Sequence, residues 1–210
     1  GSKAIVIDTT APTVVLTSAS ATTVNGLFSV TATFNEDVIG FDTTDITVAN
    51  ATVGNFVTVD AKTYTFDVTP TANGAVTVDV PAAKATDTAS NNNTAATQLI
   101  RTADFTPPTV ALTSTSATTI NAPFLVTATF SENVTGFSSS GINVTNGTVS
   151  GFTGSGTTYN FTVTPSADGA VTVDIPAAKA TDTASNNNTA AIQLTRTADR
   201  TPPTASLGAV

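Results

Sequence analysis

The stretch FSVTATF, Phe28–Phe34, alternates apolar and small polar residues without a break, and the same alternation returns as FLVTATF at Phe124–Phe130. A period of two puts Phe28, Val30, Ala32 and Phe34 on one face, the mark of a β-strand with one buried side. Flanking segments read the same way. Tyr64, Phe66 and Val68 share a face, as do Val76, Val78 and Val80, and later in the chain Tyr159/Phe161/Val163 and Val171/Val173/Ile175. Threonine fills more than a fifth of the sequence. Its β-branched side chain suits a pleated, half-exposed surface, so outward pairs such as Thr31/Thr33 and Thr127/Thr129 are read as strand formers.

These segments recur because the chain repeats itself. DTTAPT at Asp8 corresponds to DFTPPT at Asp104, 96 positions later, and DRTPPT at Asp199 begins a third copy. A one-residue deletion between Phe56 and Tyr64 marks a surface loop, where length changes cost little. The organisation expected is a lead-in over 1–7, repeats over 8–103 and 104–198, and a linker or third repeat starting in 199–210. Gly1-Ser2 is read as a remnant of tag removal, and the chain as a piece of a longer protein. In the first repeat, turn residues separate seven strands, at about 12–18, 27–35, 45–49, 52–59, 63–69, 75–80 and 95–101. Seven antiparallel strands in so short a unit predict an all-β chain, two tandem immunoglobulin-like β-sandwiches. With no cysteine and no tryptophan, phenylalanine must fill each centre.

Composition narrows the function. A net charge of −8 with seven basic residues offers nucleic acid no footprint. No apolar run approaches the ~20 residues that span a bilayer, so membrane insertion is not expected. Lacking His and Cys, the chain has none of the common nucleophile–base pairs, and no enzyme is expected. Both tyrosines, Tyr64 and Tyr159, fall on inward positions, which leaves no aromatic platform for sugars. An internal amide cross-link from Lys84/Lys179 or Gln98/Gln193 lacks an identifiable reactive partner.

The motifs TATFNEDVIGF, DITVANATV, TYTFDVTPTANGAVTVDVPAA and ATDTASNNNTAA, in this order and seen again in the second copy, resemble the bacterial Ig-like (Big) repeats of large surface adhesins and biofilm proteins. The resemblance covers nearly the whole chain. It implies an extracellular stalk on a bacterial surface, monomeric, whose partners are neighbouring repeats between a cell anchor and a distal binding region. The alternative is a module that itself binds a ligand, a carbohydrate or another copy along exposed edge strands.

Comparing the copies sorts the acidic residues. Asp37, Asp42, Asp45, Asp60 and Asp67 are replaced by Asn133, Ser138, Gly141, Gly156 and Thr162, as solvated surface would be. Four positions persist: Asp8/Asp104, Glu36/Glu132, Asp79/Asp174 and Asp87/Asp182. Asp79 alternates with Val78 and Val80, so it faces solvent. In a seven-stranded sandwich the other three meet at the pole where the chain comes in: Asp8 on the incoming segment, Glu36 after the second strand, Asp87 after the sixth. Crowded carboxylates repel unless a cation holds them. Calcium takes 6–8 oxygen ligands, and softer metals are disfavoured without His or Cys. The expected ligands are Asp8, Glu36 and Asp87, then Asp104, Glu132 and Asp182, with Asn91 and Asn186 as weaker candidates and Asp199 surviving from a third site. Two other roles stay open: Asp87 and Asn91 could close their own turn, and Glu36 could be the solvated end of a strand. Pro107-Pro108 after Asp104 restricts the backbone, so calcium and the prolines together are expected to stiffen the tandem.

Overall fold

The computed structural model describes residues 7–207; Gly1-Ser2 and the rest of the lead-in before Ile7 lie outside the described residues. It divides into two units, Gly1–Thr106 and Pro107–Val210. In the first, the strands are β1 (Val14–Thr17), β2 (Thr23–Val24), β3 (Phe28–Phe34), β4 (Thr47–Ala49), β5 (Ala51–Thr58), β6 (Thr63–Pro70), β7 (Gly74–Asp79) and β8 (Leu99–Ala103). They form two four-stranded sheets, in the orders β1-β3-β6-β5 and β2-β8-β7-β4. This is an immunoglobulin-like arrangement, in which two sheets face each other across one core.

Alternation drives the burial. Phe28, Val30, Ala32 and Phe34 are all buried, and so are Tyr64, Phe66 and Val68 opposite them on β6 and Val76 and Val78 on β7. At one end of this core the rings of Phe34, Phe41, Phe56 and Tyr64 meet at centroid distances of 4.9–5.9 Å, mostly edge to face. Such pairs add about 0.5–1.5 kcal/mol each beyond their area.

The second unit repeats the plan with β9 (Val110–Thr113), β10 (Thr119–Ile120), β11 (Phe124–Val134), β12 (Asn143–Thr145), β13 (Gly147–Pro165), β14 (Gly169–Asp174) and β15 (Leu194–Ala198). Its sheets run β13-β11-β9 and β10-β15-β14-β12. Phe130, Phe137, Phe152 and Tyr159 rebuild the aromatic cluster.

Three local features differ from the sequence expectation. A short strand was not expected: β1 ends at Thr17, Ser18 Oγ donates to the Ser29 carbonyl, and beyond it the chain crosses to the other sheet, where β2 pairs parallel to β8. Ser114 and β10 repeat this crossing, so neither sandwich is wholly antiparallel. Next, Thr43–Asp45 form a 3-10 turn, capped by Asp42, where a strand was expected to begin. Finally, β8 starts at Leu99 rather than near residue 95, because the segment before it is bonded elsewhere: Thr94 N–H to the Pro12 carbonyl and Ala96 N–H to the Val80 carbonyl.

Candidate metal centre

The incoming segment is stitched down on both sides before β1 begins. Asn35, directly after β3, accepts from Thr13 N–H through Oδ1 at 2.7 Å and donates its own N–H to the Thr13 carbonyl. From the other side, Thr94 N–H reaches Pro12, and Asn91 Nδ2 donates to the Asp8 carbonyl at 3.1 Å. The β7–β8 loop is tied to the segment after β3 by a pair of bonds between Ile39 and Thr86. Residues from three distant parts of the chain are thereby held at one pole.

The carboxylates meet there. One oxygen each from Asp8, Glu36 and Asp87 lies within 4.8 Å of the others. Oxygens on one calcium ion, each 2.3–2.6 Å from it, can be separated by at most about 5 Å. The spread therefore fits a single coordination sphere. Asp8 is exposed, Glu36 half-buried and Asp87 only 2% exposed, so an ion would have both a solvent approach and a fixed floor. Glu36 follows β3, whereas Glu132 lies inside the longer β11, which is distorted by an irregularity between Thr129 and Val134.

Asp87 is oriented by its own loop. Its Oδ1 accepts from Asn91 N–H at 2.9 Å and its Oδ2 from Asn91 Nδ2 at 2.8 Å. Those bonds, the Asn91 side chain first, outweigh the opposing effect of burial and hold the Asp87 carboxyl below its ordinary range. Asp182 keeps both partners in Asn186, at 2.8 Å each. Asn91 and Asn186 thus serve as donors to the buried carboxylate. Turn closure and a place in the trio coexist in Asp87, since each carboxylate oxygen has a second lone pair.

Asp199 stands apart: among the described residues it joins no such trio, and its Oδ1 accepts from Thr201 N–H at 3.1 Å. The same Asp-x-Thr turn occurs at Asp8 and Asp104, with Thr10 and Thr106 as donors. Asp79 and Asp174 persist for another reason, each accepting from the glutamine across the sheet, Gln98 or Gln193, at 2.7 Å. Lys84 Nζ lies 3.7 Å from an Asp45 oxygen.

Sequence reasoning missed Asn93 and Asn188, which are 2% and 1% exposed. Asn93 Oδ1 accepts from both Lys84 and Ala85 N–H, while Nδ2 donates to the Pro81 and Thr94 carbonyls. Asn188 makes the same four bonds. Its side chain is saturated, so its work is to hold the loop under the carboxylates. Within an unbroken run of three asparagines, nothing in the residue type marks which one turns inward.

No curated protein matches the sequence significantly. Solved structures of similar fold include InvD of Yersinia pseudotuberculosis, at 14% identity over 95% of this chain and 62% of that one, with a TM-score of 0.35. Invasin, a bacterial integrin-binding protein, matches at 16% identity over 77% and 36%, with a TM-score of 0.38. The adhesin InvE of Yersinia pseudotuberculosis matches at 14% over 90% and 58%, with a TM-score of 0.31. The chain thus spans between about a third and three-fifths of these structures, and likenesses so distant carry no argument about function. The sequence family is decisive. A profile of the bacterial Ig-like domain matches twice, over residues 8–103 and 104–198, and the chain belongs to that family.

Proposed function

We propose that the two domains are extender repeats from the stalk of a bacterial cell-surface adhesin, non-enzymatic and extracellular, and that calcium bound by the carboxylate trios stiffens the stalk. The observation that carries this reading is the convergence of Asp8, Glu36 and Asp87 at one pole, three residues that persist in the sequence of the second copy as Asp104, Glu132 and Asp182 while Asp37, Asp42, Asp45, Asp60 and Asp67 do not. Three carboxylates this close repel one another, which costs stability unless a cation offsets it. A hard divalent ion suits an all-oxygen set.

Placement supports a mechanical role. Asp104 directly follows β8, the last strand of the first sandwich, and is followed within four residues by Pro107-Pro108. An ion held there would remove freedom from the connecting segment, on top of the restriction the prolines already impose. Calorimetric titration of the full chain with calcium, repeated on Asp182→Ala, tests the site: saturable binding that loses about one equivalent in the variant is expected. Small-angle scattering tests the stiffening. A maximum dimension and melting temperature that stay the same in calcium and in chelator would overturn the proposal.

A further inference from the structure

At the opposite pole, where the chain leaves each sandwich, a second device recurs with different chemistry. The turn between β6 and β7 carries Asn73, whose Oδ1 accepts from Phe105 N–H at 2.7 Å and whose Nδ2 donates to Thr106 Oγ1 at 2.7 Å. The second unit has Asp168 at this position. Its Oδ1 accepts from Arg200 N–H at 2.8 Å, and its Oδ2 accepts from Thr201 Oγ1 at 2.6 Å. Asn and Asp in turns usually bond their own backbone two residues on. Here the bonds run to residues 32 and 33 positions away, on the segment just past the final strand.

The turn that carries each side chain is itself braced. Asn50, in the left-handed region at φ 56°, accepts from Thr71 N–H through its carbonyl and donates Nδ2 to the Ala72 carbonyl at 2.8 Å. Asn146, at φ 55°, does the same for Ser166 and Ala167. The outgoing residues have changed together with the latch. A neutral amide faces Phe105, whereas a carboxylate faces Arg200, whose Nε is 3.8 Å from Asp168 Oδ1. Arg200 also donates to the Ser166 carbonyl at 2.7 Å. The contact is present in both units although Asn73 stands opposite Phe105 and Asp168 opposite Arg200, with the threonine unchanged at Thr106 and Thr201.

We infer that Asn73 and Asp168 are positioning residues that fix the direction in which the chain leaves each domain, and so supply a share of stalk stiffness that needs no cation. The inference rests on the stalk reading for its consequence, though the latch itself does not. Thr106 joins the two devices in sequence: its hydroxyl accepts from Asn73 and its N–H donates to Asp104 Oδ1 at 2.9 Å.

Because the chain has no cysteine, Thr52→Cys and Thr148→Cys place one spin label on an exposed strand of each domain. The width of the label–label distance distribution is then read by pulsed electron resonance, in calcium and in chelator. In chelator, Asn73→Ala is expected to broaden the distribution, and Asn73→Asp, which borrows the second domain's solution, to restore it. Equal widths for Asn73→Ala and the parent chain in chelator overturn the latch. A parent width indifferent to calcium would instead defeat the calcium reading and leave the latch result legible. Amide exchange at Phe105 gives a local check: roughly tenfold faster in Asn73→Ala, near the parent rate in Asn73→Asp. Unchanged exchange in Asn73→Ala would also overturn the inference, whatever the variant's melting temperature.

Discussion

The β7–β8 loop and the β5–β6 connection solve different problems, and the two copies expose the difference. ATDTASNNNTAA is identical in both domains, and the bonds of Asp87, Asn91 and Asn93 return at Asp182, Asn186 and Asn188. The other connection shares neither sequence nor device. In the first domain Asp60 Oδ1 closes the turn by accepting from Lys62 and Thr63 N–H, each at 2.8 Å. In the second the turn lies within β13 and carries two glycines at positive φ, Gly154 and Gly156. Where the chain need only turn back, many chemistries suffice; where side chains shape the backbone, substitution breaks several bonds at once.

The sharpest test of that contrast is Asn188→Ala. The change strands two backbone N–H groups and two carbonyls around a site 1% exposed, each worth about 1–3 kcal/mol when left unpaired. Water entering the vacated space recovers part of this. A loss of about 3–5 kcal/mol by chemical denaturation is expected; a loss below about 1 would mean the asparagine run is ordinary turn sequence.

Next in size is Gly154→Ala. A Cβ there would sit 2.3 Å from the Thr158 carbonyl oxygen, on a backbone with φ +129°. A loss of about 2 kcal/mol is expected. Asp60→Gly, which gives the first domain the residue found at this point of the second, should cost clearly less. If Asp60→Gly proved the more damaging, the two closures would not be interchangeable.

How much of this was legible beforehand follows the same division. Alternation placed the buried faces of β3, β6 and β7 correctly, because a period of two is a property of the strand alone. Convergence of Asp8, Glu36 and Asp87 was readable from strand order, since in a sandwich the loops after the second and sixth strands share a pole with the incoming chain. Features set by single long-range bonds were hidden: the crossing at Ser18, the inward turn of Asn93, and the latch of Asn73 onto Phe105. Each involves a small polar residue that is common everywhere in this chain, so composition gave it no contrast.

Acid should separate the domains more gently. Asp42, Asp60 and Asp67 in the first unit are held below the ordinary carboxylate range: Asp42 by the Thr44 hydroxyl, Asp60 by the Lys62 backbone N–H, and Asp67 by the Ser29 hydroxyl. Asp168, held down by the Thr201 hydroxyl, is the second unit's counterpart. A carboxyl whose folded pKa is depressed stabilises the fold above its unfolded value, near 4, and loses that contribution as pH falls through the folded value. In chelator, lowering the pH from 5 to 2 should destabilise the first domain more than the second, read from amide exchange reporters in each. A second domain that opened first would show that these local hydrogen bonds do not govern the acid limb.

The smallest expected effect probes whether the identical loop is strained as well as bonded. Ser90 and Ser185 hold φ of 69° and 71°, where an L side chain costs about 1 kcal/mol or more and glycine does not. Ser90→Gly relieves that cost but adds freedom to the unfolded chain worth about 0.5–1 kcal/mol, so the two nearly cancel. The N–H of residue 90 still reaches the Asp87 carbonyl, and the bonds of Asp87 to Asn91 are untouched. A stability change within about 0.5 kcal/mol is therefore expected, measured as a shift of the denaturation midpoint. A loss well beyond that would mean the serine hydroxyl helps shape the loop, widening the gap from the glycine-bearing turn of the second domain. A clear gain would mean the opposite: that the loop carries backbone strain in both copies, tolerated because Asp87 and Asp182 must be held where they are.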